Sequence, residues 1–84
     1  MHISVLTPDE EYFNGQIESV KVPGTNGQFQ VLPNHAAIVS SLTEGKVEIR
    51  EIGGKKRVFE ITGGFIEVLD EAISLLVDGI KSSE

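Results

Sequence analysis

The sequence predicts an all-β protein in which two sheets pack face to face, as a β-sandwich or flattened barrel. Three observations carry that prediction. Glycines and prolines punctuate the chain at intervals of roughly eight to twelve residues, the spacing of short strands joined by turns. The segments between them are rich in Val, Ile, Phe and Thr, which suit a pleated, half-buried surface. No helical pattern runs long enough to stand without docking. A chain of 84 residues does not divide into two cores, so residues 1–84 form a single domain with a modest interior.

In chain order, strands are expected near His2–Leu6, Glu11–Lys21, Gln28–Leu32, Ala36–Ser41, Lys46–Ile52, Lys56–Thr62, Phe65–Leu69 and Ala72–Asp78. The fifth and sixth show the clearest alternation. Val47 and Ile49 face one way and Glu48 and Arg50 the other, while Arg57, Phe59 and Ile61 alternate with Lys56, Val58 and Glu60. The eighth segment reads two ways. Ile73, Leu76, Val77 and Ile80 fit helical spacing, whereas Ile73, Leu75 and Val77 fit one face of a strand, and Gly79 ends either element early.

The turns have chemical grounds. Asn14-Gly15 and Asn26-Gly27 both tolerate positive φ, the requirement of tight hairpins. Pro23 and Pro33 lack a ladder donor, so each should end a strand or lie on an edge. Gly53-Gly54 makes a flexible tip before three basic residues, and Gly63-Gly64 marks a corner between two apolar runs. Charged strand positions such as Lys21 and Glu67 are expected to protect sheet edges.

Composition excludes several chemistries. With no cysteine there is no disulfide, thiolate zinc site or cysteine nucleophile. The formal charge of −6 argues against nucleic-acid binding, which needs a basic footprint. That charge is uneven: residues 1–45 sum to −4, residues 46–57 to +3 and residues 58–84 to −5. No apolar run approaches the ~20 residues of a membrane-spanning helix, and no secretory signal pattern follows Met1. His2 and His35 have no companions at metal-ligand spacing. No serine sits in a nucleophile elbow, and the glycine pairs open no phosphate loop. No catalytic, cofactor-binding or metal site is therefore expected. From the residues alone the function is an interaction module, with a ligand- or carbohydrate-binding sandwich as an alternative, which Tyr12 by itself serves poorly as a stacking platform.

One segment is more specific. Val22-Pro23-Gly24-Thr25 through Leu32-Pro33-Asn34-His35-Ala36 resembles the signature of the epsilon subunit of bacterial F-type ATP synthases. Thr7-Pro8, Phe13-Asn14-Gly15, Ile17-Glu18-Ser19-Val20, Gly45-Lys46-Val47 and Gly63-Gly64-Phe65-Ile66-Glu67-Val68 follow in family order, so the resemblance covers residues 2–79. It departs from the family where Gln28 and Gln30 flank Phe29 in place of glutamate and glycine. Asn34 replaces a glycine, and Ala37 stands where proline is common.

The resemblance implies a ten-stranded β-sandwich and makes Ala72–Asp78 a strand. It implies a non-catalytic rotor subunit of the central stalk that binds the gamma subunit and the membrane c-ring, coupling proton-driven rotation to ATP synthesis. Such a subunit lies on the cytoplasmic face of the bacterial inner membrane, peripherally and without inserting into it. By carry-over, Thr7, His35, Val39, Ser40 and Leu42 are candidates for the gamma interface, and Asn26, Gly27 and Gln28 for the c-ring contact. Alternation alone leaves Val39 and Leu42 open between interface and core. Because the sequence stops at Glu84, just after the sandwich, it is expected to lack the carboxy-terminal helical hairpin and the nucleotide site some relatives build on it.

Overall fold

The computed structural model describes residues 1–83, and its described residues form strands and turns with no helix. Nine strands follow one another: β1 His2–Leu6, β2 Glu11–Gly24, β3 Gly27–Val31, β4 Ile38–Leu42, β5 Gly45–Glu51, β6 Lys56–Ile61, β7 Gly64–Leu69, β8 Ala72–Val77 and β9 Ile80–Ser83. They hydrogen-bond in the order β1-β8-β7-β4-β2-β5-β6-β9, with β3 on β2 and a further pairing of β1 with β2. The resemblance implied ten strands; the described residues hold nine.

The sheet folds over on itself because β2 is long enough to serve both layers. Its residues 11–16 pair with β1, Ile17–Lys21 pair with β5, and Val20–Gly24 pair with β3. A bulge at Glu18 lies between these halves, since Ile17 faces Glu51 while Ser19 faces Arg50. The extra residue bends the strand and increases its twist. One layer is then the first half of β2 with β1, β8, β7 and β4. The other is β3, the second half of β2, β5, β6 and β9. Inward residues of both layers meet in one core that includes Ile3, Val5, Val20, Val22, Ile49, Phe59, Ile66 and Leu75, all nearly fully buried.

Two more crossings between layers lie side by side. The chain passes from β6 to β7 at Gly63-Gly64 and from β8 to β9 at Asp78-Gly79. Asp78 N–H donates to Gly63 O at 2.9 Å, and Thr62 N–H donates to Gly79 O at 3.1 Å. At Gly64 φ is 149°, and a Cβ there would overlap the Leu76 carbonyl oxygen and lie 2.8 Å from Val77 Cα. Only glycine fits that corner.

The structure corrects four expectations. Asn14-Gly15 is not a turn: both residues lie inside β2, opposite Ser4 and Ile3, and neither has positive φ. Glu67 and Lys21 do not guard edges, because β7 lies between β4 and β8, and Lys21 between β3 and β5. Ala36 and Ala37 precede β4 instead of opening it. Gly79 interrupts the last strand without ending it, so β9 resumes at Ile80 and pairs with β6. The strand reading of Ala72–Val77 holds against the helical one, with Ile73, Leu75 and Val77 buried.

Lys81 of β9 reaches back to the β4–β5 turn, where its Nζ lies 2.6 Å from Glu44 Oε2. The hydrogen bond and then the positive charge of Lys81 hold the Glu44 carboxyl below its ordinary pKa, and the same pair raises that of Lys81.

Gly64→Ala is expected to cost at least about 3 kcal/mol of stability in urea unfolding, since a Cβ has no space. Gly53→Ala, where φ is +98° but no atom lies within 4 Å, should cost only about 1–2 kcal/mol. For Glu44, a depressed folded pKa means that the pair's contribution is present above the unfolded carboxylate pKa and fades as pH falls through the folded one. NMR titration should find Glu44 below the ordinary glutamate value in the wild type and back at that value in Lys81→Ala.

Candidate docking surfaces

The two layers present different outer faces. Antiparallel register places Val39 opposite Glu67, Ser41 opposite Phe65, Phe65 opposite Leu76, and Leu69 opposite Ala72. Parallel register adds Leu6 beside Leu76 and Ser4 beside Ser74. Three rows therefore run across the outside of β1, β8, β7 and β4: His2–Ala72–Leu69, Ser4–Ser74–Glu67–Val39, and Leu6–Leu76–Phe65–Ser41. Val39 is 67% exposed, Leu69 59% and Phe65 42%. A shallow groove of about 260 Å³ lies at one end, lined by Leu6, Thr7, Pro8, Phe65, Leu76 and Asp78 among others. Exposed apolar side chains gathered on one sheet face mark a surface built to be covered.

The opposite layer is polar outside. Lys46 faces Glu60, Glu48 faces Val58, and Arg50 faces Lys56 across β5 and β6. Lys21 lies between Gln30 and Glu48. Arg57 donates to Glu51 at 3.2 Å and covers the Phe13 ring, 4.4 Å from its centroid. That cation–π contact packs Arg57 against the protein instead of leaving it free.

A second surface is the tip of the β2–β3 hairpin. Thr25 and Asn26 form its turn between Gly24 and Gly27, and Gly27 takes the positive φ of 126°. The tip is braced on the end of β4, since Thr25 N–H donates to Ser41 O at 3.1 Å and Thr43 N–H to Pro23 O at 2.8 Å. Asn26, Gly27 and Gln28 are all exposed. Beside them a groove of about 460 Å³ is lined by Pro23, Gly24, Thr25, Gln28, Thr43 and Lys46 among others. The amides of Asn26 and Gln28 offer both donors and acceptors, and the charge lining that groove is Lys46.

Leu32 to His35 form a turn with Pro33 second and Asn34 third. His35 N–H donates to Leu32 O at 3.1 Å, and Asn34 has a φ of 69°. Asparagine accepts the left-handed conformation that its place in this turn requires. Asn34 N–H also donates to Glu71 Oε2 at 3.3 Å, tying the loop to the β7–β8 turn. His35 Nδ1 lies 2.7 Å from Ala36 O. A carbonyl only accepts, so Nδ1 carries the proton and Nε2 is left to face outward chemistry.

The five residues anticipated for one interface do not form one patch. Val39 lies in the apolar face. Thr7 stands at its Leu6 end, where its hydroxyl accepts from Asp9 and Glu10 N–H at 3.3 and 3.1 Å. His35 lies beyond the opposite end of β4. Leu42 is 5% exposed and belongs to the core, so its side chain is closed to a partner. Ser40 shares that inward phase, opposite buried Ile66, and its hydroxyl donates to Ser41 O at 3.2 Å.

Sequence reasoning missed Phe65, Leu69, Leu76 and Leu6 as surface residues. A signal was present: Glu67 marks the solvent side of its strand, and Phe65 and Leu69 are in phase with it. The aromatic platform of the carbohydrate alternative does not form from Tyr12, whose ring packs on Phe59 with centroids 5.0 Å apart. No group of three or more His, Cys, Asp or Glu among the described residues could hold a metal ion.

Comparison with known proteins matches residues 1–83 to the family described as ATP synthase, Delta/Epsilon chain, beta-sandwich domain. An ATP synthase epsilon chain of Caulobacter vibrioides is 40% identical over 78 residues, which cover 93% of this chain and 90% of that one. An ATP synthase epsilon chain of Leptospira interrogans is 42% identical over 78 residues, covering 93% of this chain but 61% of its own length. The chain thus spans less than two thirds of the Leptospira relative. A chain of the Euglena gracilis mitochondrial ATP synthase superposes with a TM-score of 0.86 at 24% identity, covering 95% of this chain and 51% of that one. One from the central stalk and c-ring of the Tetrahymena thermophila enzyme superposes with a TM-score of 0.81 at 22% identity, covering 98% and 66%. At those identities the likeness concerns the fold.

The register separates interior from surface on β4, and stability measurements read that division directly. Leu42→Ala is expected to lose about 2–5 kcal/mol in denaturant unfolding, as core truncations do. Val39→Ala should lose less than about 1 kcal/mol, the range of strand propensity at a surface position.

Proposed function

The chain belongs to the ATP synthase delta/epsilon β-sandwich family, and we propose that it is a non-catalytic rotor element, gripped by the gamma subunit and seated on the c-ring. The carrying observation is the apolar outer face of β4, β7 and β8. A subunit that transmits torque needs a contact that survives each rotation, which calls for a large, partly apolar interface. Val39, Phe65, Leu69 and Leu76 supply that chemistry, and Thr7 and His35 stand at opposite ends as polar rim contacts. Ser40 and Leu42 support the strand from within.

The β2–β3 tip is the proposed c-ring contact. Asn26 and Gln28 would meet polar loops through hydrogen bonds, without a carboxylate of their own. The titles of both solved assemblies include a c-ring, which is compatible with this assignment. In this reading the chain works at the cytoplasmic face of a bacterial plasma membrane as a peripheral part of the enzyme, and the chemistry of ATP synthesis is carried out by other subunits.

Isothermal titration with the gamma subunit tests the reading. Val39→Asp and Phe65→Asp should each weaken binding by at least about tenfold, by placing an unpaired charge in a buried apolar contact, while circular dichroism reports an intact fold. Gln28→Ala, at the hairpin tip, should bind gamma with unchanged affinity. Wild-type affinity in both aspartate variants would remove the gamma assignment from this face.

A further inference from the structure

The apolar layer contains no lysine or arginine. All seven of the chain's basic residues, Lys21, Lys46, Arg50, Lys55, Lys56, Arg57 and Lys81, lie on the other layer or its turns. The layer of β1, β8, β7 and β4, with the first half of β2 and its turns, holds Asp9, Glu10, Glu11, Glu67, Asp70, Glu71 and Asp78. Six of these acids sit at strand ends or in turns around the face. Glu67 is different: it stands near the middle of the face.

Along β7, Glu67 is flanked on its own side by Phe65 and Leu69; across the strands it faces Val39 and Ser74. The four ion pairs among the described residues use Glu71, Glu48, Glu51 and Glu44, and none reaches Glu67. The free protein keeps this carboxylate in water. A partner that covers Phe65, Leu69 and Val39 must remove much of that water, and an uncompensated carboxylate in such a place is strongly disfavoured.

We infer that the partner surface covering this face presents a lysine or arginine directly opposite Glu67, within an otherwise apolar contact rimmed by further basic groups. The inference rests on the gamma-docking reading above and specifies its chemistry. The apolar groups give the contact its area, and the Glu67 pair fixes its register and excludes partners without a matching cation. The acidic rim steers a basic partner toward this layer and away from the opposite one, where the cations lie.

The test is titration of the gamma subunit into wild type, Glu67→Gln, Glu67→Lys, Phe65→Ala and Leu69→Ala, at low and high salt, with thermal melts confirming that each variant is folded. Glu67→Gln should weaken binding about thirtyfold or more, the effect of stranding a buried cation, and Glu67→Lys more still. An acidic substitution at one gamma lysine or arginine should restore binding to Glu67→Lys alone. If Glu67→Gln binds as tightly as wild type while Phe65→Ala and Leu69→Ala weaken binding, the face docks but the opposing cation does not exist. If neither Phe65→Ala nor Leu69→Ala changes the affinity, the docking reading itself falls.

Discussion

One sheet has to double back on itself within a single short chain, and the rest of the molecule depends on how it does so. The decisive place is the corner where β6 passes into β7 and β8 into β9. These two crossings lie next to each other, and each gives a backbone hydrogen bond to the other, from Asp78 to Gly63 and from Thr62 to Gly79. Backbone approaches so closely that no side chain fits at Gly64. Across the molecule the Glu18 bulge lets β2 make the same change of layer without leaving the sheet. With both bends in place, alternate residues of β1 to β8 converge on one interior. Without them the same alternation would leave an apolar face open to water.

Doubling the sheet creates two outer faces that share no residues, and their chemistries diverge. The β5–β6 side is a lattice of charges and amides. The β7–β4 side is apolar, with acids around it. Strand β4 connects the second of these to the hairpin tip, because its last residues, Ser41 and Thr43 beyond it, bond to Thr25 and Pro23. In the proposed rotor, a load applied at Asn26 or Gln28 is therefore carried by backbone hydrogen bonds into the strand that bears Val39. No flexible linker intervenes. Such a body passes force between its two contacts without storing it in a soft joint.

Period-two alternation made the strands legible, and the interior of β5 and β6 followed from it directly. What alternation could not reveal was which phase of β4 faces inward, because Val39, Ser40, Ser41 and Leu42 mix polar and apolar residues in both phases. Only pairing with β7 assigns Leu42 and Ser40 to the inside and Val39 to the outside. Asn14-Gly15 misled for a related reason. Its turn chemistry is genuine, yet the two residues pair with β1 along an unbroken strand, and long-range ladder bonds override a local preference. Gly79 looked like a terminus because sequence does not show that a strand stops in one layer and resumes in the other. The docking face was half visible, since Phe65 and Leu69 keep step with Glu67, but its width comes from β4, β8 and β1, which only the topology brings alongside.

Glu67 has two physical consequences that point in the same direction. A sheet face carrying Val39, Phe65, Leu69 and Leu76 would be a ready surface for indiscriminate association if it were wholly apolar. A carboxylate in its middle row opposes that, because any neighbour that covers it without a cation must desolvate a charge for nothing in return. The same group that keeps the free chain from sticking to arbitrary apolar surfaces therefore selects the one surface that answers it. Placing that charge at a sheet edge would achieve neither end, since water would still reach it in the complex. Its position on a central strand, which sequence reasoning assigned to an edge, is what makes it a discriminating element of the interface.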